Sequence, residues 1–399
     1  MSNQNLTSVC FPETDFAILP GQAPPLSDFH AMLAELRETR PVAPILFHGR
    51  LAWLLTRHAD VLTAFRDEDL FSARAIQVAN TFPVMGRNVM GMEGEEHRIN
   101  RALVQPGFGR RTMPGLMEEC VRPLCHALVD EFSQAGQVDL VRQFNKRLPM
   151  AVICRLLGLP REDDASFERW AIDLIRYPWD PEAAQAASRQ FTKYLEPLVE
   201  ARRAAPEDDL LSSLCLQEVE GQRLTNDEIF SFVRQLFPAG ADTTYLGLGS
   251  LMVGLLGTPG SLEELRGDLR RQAAAVEEAM RWEPPTSLLP RMTVQGGEFG
   301  GEELGADTVV LLGIAAANRD PEVFADPDRF DIGRETAGHL SFGYGNHFCI
   351  GSHLARAEMC TALEVLLERL EEIELLTPPI MQGAVLRGPD QLQIRFSPA

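Results

Sequence analysis

The chain has 399 residues, 45% hydrophobic and 24% charged, a balance that excludes wholesale disorder and is enough for a sizeable core. With 37 basic against 57 acidic residues its net charge is −20, which disfavours nucleic acid and anionic membrane surfaces as partners. Seven cysteines at irregular spacing argue against a disulfide framework and for a reducing compartment, with the cytoplasm as the expected location.

In chain order, residues 1–10 are polar and lack the basic start and apolar core of a signal peptide, so no membrane anchor is expected. Helical periodicity marks residues 27–39, 58–66, 114–134, 142–157, 182–203 and 261–282, the last stopped by Pro284-Pro285. Apolar runs at 45–47 and 51–55 around Gly49-Arg50 predict a hairpin. Residues 71–92 are apolar without helical order and rich in methionine. Short strands are expected around 291–312 and 384–396. No repeat and no Ser/Gly-rich or charge-block linker divides the sequence. One large domain over residues 1–399 is the expectation, mainly α with small β-sheets.

A long central helix starts at the capping box Thr225-Asn226-Asp227-Glu228 and runs to about Gly257, on the order of 45 Å. Arg234, Gln235, Pro238 and Asp242 interrupt its apolar run and would be costly in lipid, so it reads as a buried helix and not a membrane span. Pro238, Gly240 and the Asp242-Thr243 pair break the rules of a good helix, and such local conflict tends to mark function. From these residues alone, Thr243 bonding back to a carbonyl four residues earlier and Asp242 pairing with a surface cation is the stronger reading. Glu278 and Arg281, three apart, read alone as an ordinary solvated pair.

Cys349 differs from the other cysteines. It lies in Ser341-Phe342-Gly343-Tyr344-Gly345-Asn346-His347-Phe348-Cys349-Ile350-Gly351, just before an amphipathic helix expected over residues 350–370. Glycines let the backbone turn around the sulfur and aim amide hydrogens at it, and a helix N-terminus favours the thiolate. Three other readings stay open on residues alone: a small buried hydrophobe, a zinc ligand with His347 or His353, and a nucleophile with His347 as base.

The segment 342–351 resembles the haem-binding loop of the cytochrome P-450 family, the haem-thiolate monooxygenases. Four further segments resemble that family in the right order. They are Glu96-His97-Arg98-Ile99-Asn100-Arg101, Ala239-Gly240-Ala241-Asp242-Thr243-Thr244, Glu278-Ala279-Met280-Arg281 and Asp326-Pro327-Asp328-Arg329-Phe330. The resemblance implies the cytochrome P-450 fold with the long helix over haem b, and Cys349 as axial iron ligand beside Phe342, Gly343 and Gly351. It implies that His97, Arg101, Arg291 and His347 meet the haem propionates, and that Ala239 and Gly240, in the oxygen-activating helix, also bind the cofactor. Thr243 and Asp242 become the alcohol and acid of oxygen activation, and Glu278, Arg281 and Arg329 a buried network. Pro238 departs from the aliphatic residue usual at its place.

The resemblance also implies a distal pocket for a hydrophobic small molecule. Phe82, Val84, Met85 and Val89 in the lid, with Leu236, Phe237, Leu288, Leu289, Gln391 and Leu392, are its candidate lining, and Asp390 a further polar contact. No GxGxxG unit or cluster-binding cysteine set is fused to the chain. Electrons would therefore come from an iron–sulfur ferredoxin with its reductase, docked on a basic patch of Arg98, Arg110, Arg111 and Arg356. The implied activity is insertion of one atom of dioxygen into the substrate. The rivals are a peroxide-driven peroxygenase and a haem protein that binds ligands without turnover.

Overall fold

The central helix, Asn226–Leu256, organises the structure. Its N-terminus closes as the capping box predicts: Thr225 Oγ1 accepts from the Glu228 amide at 3.3 Å while the Thr225 amide donates to Glu228 Oε2 at 2.8 Å. Buried residues surround it on all sides, which is the pattern of a core helix. Helices Arg147–Leu156, Asp164–Ile175, Pro181–Ala204 and Leu269–Trp282 pack around it. At Gly249 an added Cβ would stand 2.6 Å from Pro389, so glycine lets the C-terminal segment cross the helix closely. The computed structural model describes residues 15–17, 26, 28–160 and 164–399. The polar opening segment 1–10 and residue 27 of the first expected helix lie outside them.

A five-stranded sheet forms the opposite wall, in the order Val42–Phe47, Arg50–Leu55, Val309–Gly313, Leu288–Thr293, Phe71–Ser72. The first two strands form the expected hairpin. Its turn is His48-Gly49, both at positive φ (52° and 67°), one residue earlier than the sequence suggests and of the geometry that matches strand twist. A second sheet joins Gln137–Asp139, Gln393–Pro398 and Leu370–Leu375, all antiparallel. Among the described residues, no helix is long and apolar enough to cross a membrane.

Several boundaries differ from the periodicity. Residues 71–92 contain the helix Ala73–Asn80, capped by Ser72, whose hydroxyl accepts from the Ala75 amide at 3.1 Å; with one short apolar face, its period is hidden in the flanking methionines. The 261–282 helix is two helices, Ser261–Leu265 and Leu269–Trp282, parted where Gly267 takes φ 72°. A π-turn, Met117–Val121, interrupts the 114–134 helix. The helix after Cys349 is Ser352–Arg369, and Leu370 already begins a strand. Asp164–Ile175 is a helix that the periodicity does not mark, although Pro160 and the acids at 162–164 are start signals.

Candidate active site

A cavity of ≈490 Å³ lies between the central helix, the lid segment, the five-stranded sheet and the Cys349 loop. Cys349 opens into it, and its amide donates to the Phe342 carbonyl at 2.8 Å. Gly343 and Gly345, both at φ 73°, make the turn, whereas Gly351 has φ −83° and needs no glycine conformation. A Cβ at Gly351 would meet nothing within 4 Å, so space stands open beside the sulfur. Burial pushes the thiol pKa up, while the Gly351 amide, Arg101 and Arg356 pull it down. The loop's anion-stabilising pull is therefore present but does not outweigh desolvation; a bound metal cation would supply the rest.

At the edge of this cavity four basic groups converge. The His97 and His347 rings lie 4.4 Å apart, and the Nε2 atom of each is buried without a partner. Arg101 donates to the Phe348 carbonyl at 2.6 Å, and Arg291, 7% exposed, donates only to the Pro290 carbonyl at 3.3 Å. Burial lowers the Arg291 pKa to about 10 and, with His97, Arg291 and Arg101 adding to it, that of His347 to about 3. The nearest carboxylate to His347, Glu68, is 4.0 Å away, beyond hydrogen-bond reach. Orphaned imidazole nitrogens and uncompensated guanidiniums call for an anion. A thiol, open space beside it and an anion-seeking rim fit an iron-bearing macrocycle with carboxylate arms, as haem has. Among the described residues no cluster of His, Cys, Asp and Glu suits a bare metal ion, which removes the zinc reading of Cys349 there.

Above the thiol, Ala239, Gly240 and Thr243 line the cavity. Thr243 Oγ1 donates to the Ala239 carbonyl at 2.6 Å, the back-bond expected from the residues alone, and the residue still lines the cavity. Gly240 has a second reason to be glycine, since a Cβ there would stand 2.8 Å from Ile153 Cδ1. The helix runs unbroken through Pro238, which cannot donate to the carbonyl one turn back and itself lines the cavity. Asp242 faces elsewhere, into a separate cavity of ≈200 Å³ shared with Lys146, Glu168, Arg176 and Tyr245. Burial raises its pKa to about 7, Lys146 opposing and Glu168 reinforcing. The adjacent acid and alcohol thus open on two sides of one helix.

The expected pocket residues divide. Met85, Val89, Leu236, Leu288 and Leu289 line the cavity. Val84 is 1% exposed and turned into the core, and Phe237 stacks on Phe167 at 4.9 Å on the far face of the helix. Phe82 fills the space over Gly91 inside the lid. Leu392, just before the strand Gln393–Pro398 and with its amide on Asp139 Oδ1, stays away from the wall, as do Gln391 and Asp390. A bridge between Thr286 and Leu386 brings Val385 and Leu386 to the cavity instead. Sequence reasoning missed Gln77, Thr81, Trp179 and Gln235 as lining. It also missed Glu358, buried with Oε1 unpartnered and its pKa raised to about 8 by burial. Only the four- and eight-residue spacing of Gln235 from Ala239 and Thr243 signalled any of them.

The Glu278–Arg281 pair is no surface pair. Both side chains are 0% exposed and bonded at 2.7 and 2.8 Å, and Arg281 also donates to the carbonyls of Asn318, Pro327 and Arg329. The third side chain is Arg334, on Glu278 at 3.2 Å, and not Arg329. Arg329 lends only its carbonyl; its guanidinium is exposed and pairs with Asp331, because the chain turns there and points it outward. The basic patch is likewise reduced: Arg98 is paired with Glu95 and Glu220, and Arg356 with Glu277, leaving Arg110 and Arg111 exposed.

Comparison with known proteins bears on this site. Residues 166–396 match the family model described as Cytochrome P450. The chain is 35% identical to 6-deoxyerythronolide B hydroxylase of Saccharopolyspora erythraea, over 92% of this chain and 96% of that protein. It is 34% identical to mycinamicin IV hydroxylase/epoxidase of Micromonospora griseorubida, over 94% and 98%. The solved structure of the Bacillus subtilis cytochrome P450 PksS, of the bacillaene polyketide synthase, superposes with a TM-score of 0.86 at 31% identity, covering 93% of this chain and 98% of that one.

Proposed function

The chain belongs to the cytochrome P450 family and is a monooxygenase that hydroxylates small organic molecules; on that premise we propose that Cys349 is the axial ligand of haem b in the ≈490 Å³ cavity. The observation that carries this is the set of basic groups on the cavity that Cys349 enters: His97 and His347, each with Nε2 unpartnered, and Arg101 and Arg291, bonded to backbone carbonyls but to no carboxylate. They would take the haem propionates, with Phe342, Gly343 and Gly351 against the macrocycle. We further propose a single domain over residues 1–399, a cytoplasmic location, and electrons delivered by an iron–sulfur ferredoxin with its reductase.

Haem held by a thiolate supplies dioxygen activation, the sulfur pushing electron density that favours O–O cleavage. The chain's own residues do the rest. Thr243 holds a hydroxyl at the cavity face of the central helix, now bonded to the Ala239 carbonyl; released from that bond it would be a hydrogen-bond donor within the cavity. Asp242, with a pKa of about 7, holds or yields a proton near neutrality and faces the second cavity, a route from solvent along Lys146 and Glu168. Met85, Val89, Leu236, Leu288 and Leu289 orient an apolar substrate and exclude water. The presence of the acid Asp242 and the alcohol Thr243 favours this over a peroxide-driven enzyme or a protein that binds ligands without turnover. The relatives named for 6-deoxyerythronolide B and mycinamicin IV support a small organic molecule of that kind as the substrate class.

The test is the reduced carbon-monoxide difference spectrum of the purified protein beside Cys349→Ala. A strongly red-shifted Soret band in the parent alone is expected. A histidine-type band in the parent would remove Cys349 from the iron.

A further inference from the structure

Gln235 is a carboxamide in an otherwise apolar stretch of wall. It shares with Ala239 and Thr243 the face of the central helix that lines the large cavity. Its side chain is nine-tenths buried, with 9% exposure, and Oε1 has no hydrogen-bond partner. Its neighbours in the fold do not complete it. Arg234 is engaged on the other side with the Met85 carbonyl at 3.1 Å and Thr192 Oγ1 at 2.8 Å, which pins the lid to the helix beside it. Of the polar side chains the lid contributes, Thr81 donates to Gln77 Oε1, and Asn80 is half-buried at the cavity with no bond to Gln235 Oε1.

Resting on the haem-thiolate reading above, we infer that Gln235 is the specificity-determining anchor for a hydroxyl group carried by an uncharged, otherwise apolar substrate. A hydroxyl satisfies a carboxamide from either end, donating to its oxygen or accepting from its nitrogen. A carboxylate does not suit the place. Four basic residues of the cavity, Arg101, Arg291, His97 and His347, gather at the end near Cys349; a fifth, His48, lies against Trp179 with its pKa lowered by burial, so it is held toward the neutral form, and no lysine or arginine lines the wall beside Gln235. Eight residues separate Gln235 from Thr243, about 12 Å along the helix. The anchored hydroxyl therefore sits roughly that far from the carbon that is oxidised, and the anchor selects which end of an elongated molecule reaches the reacting centre.

The experiment uses haem-loaded parent and Gln235→Met, an unbranched apolar replacement of similar size. Both are titrated by calorimetry with 1-dodecanol, dodecane and dodecanoic acid, and the carbon-monoxide band of each preparation is recorded first. The parent is expected to bind 1-dodecanol about 10-fold more tightly than dodecane, the scale of one hydrogen bond to a buried group. Dodecanoic acid should gain nothing over dodecane. In Gln235→Met the preference for the alcohol should fall to near parity with dodecane binding retained. No alcohol preference in the parent, absence of binding included, overturns the inference. So does an unchanged preference in the variant, equal loss of both probes, or tightest binding of the acid. A parent without the red-shifted band overturns the haem-thiolate reading and this inference with it; a normal band without alcohol preference overturns this inference alone.

Discussion

Replacing Glu278 by Gln tests the proximal network. The carboxylate serves two guanidiniums, Arg281 at 0% and Arg334 at 10% side-chain exposure, and also accepts the Asp331 amide at 2.9 Å. Glutamine keeps the shape and one acceptor oxygen, and Arg281 keeps its carbonyl partners, but the counter-charge of a fully buried cation is gone. Breaking such a pair from one side costs roughly 3–5 kcal/mol. Unfolding entropy near 2.1 cal/mol/K per residue makes one kcal/mol worth about 1 °C in a chain of 399 residues. The haem-loaded variant should therefore melt roughly 4–6 °C below the parent in scanning calorimetry, and lose haem at a lower urea concentration. Arg329→Ala is the internal control. Its side chain is 68% exposed and pairs only with Asp331, so it should cost under about 0.5 kcal/mol and shift melting by less than about 1 °C. An Arg329→Ala loss as large as that of Glu278→Gln would refute the assignment of the third side chain to Arg334. A Glu278→Gln variant melting with the parent would refute the uncompensated-charge argument itself.

Thr243→Ala deletes the hydroxyl that now bonds the Ala239 carbonyl, so the fold should be kept while product formed per electron drops several-fold and released peroxide rises; unchanged coupling takes Thr243 out of the reaction. Asp242 has its pKa raised to about 7, so the proton-donating form prevails below that pH and is lost above it. Product per electron in the parent should fall as pH rises through about 7, and Asp242→Asn should lack that step; superimposable profiles would exclude Asp242 as the proton source. Glu358 sits buried with a pKa raised to about 8. Its native state holds the proton more tightly than the unfolded chain, so it costs nothing below about pH 4.5 and progressively more as pH rises toward 8. Glu358→Gln should raise stability by on the order of 3 kcal/mol at pH 7.5 and by little at pH 5; equal melting shifts at both pH values would show that Glu358 is not the titrating group.

What the residues determine by themselves is local. The capping box at Thr225, the glycines at 343 and 345, the proline inside the central helix and the four-residue spacing of His97 and Arg101 each act within one turn of chain. Each appears in the structure where the sequence places it. Together with the resemblance of five ordered segments, they led to the family and to the thiol. What only the tertiary structure decided is direction. Asp242 and Thr243 are neighbours in sequence, yet a helix rotates successive side chains by about 100°, so packing against Asp164–Ile175 sends the acid into a different cavity from the alcohol. The same rotation turns Phe237 away and Gln235 inward. The loops obey no period at all: whether residues 385–386 or 391–392 reach the cavity depends on the Thr286–Leu386 bridge, and whether Arg329 or Arg334 meets Glu278 depends on how the chain folds back from Asp326. Sequence spacing fixes which side chains share a face of one element; which face is buried, and against what, is set by the long-range contacts among elements, and those decided the composition of the site.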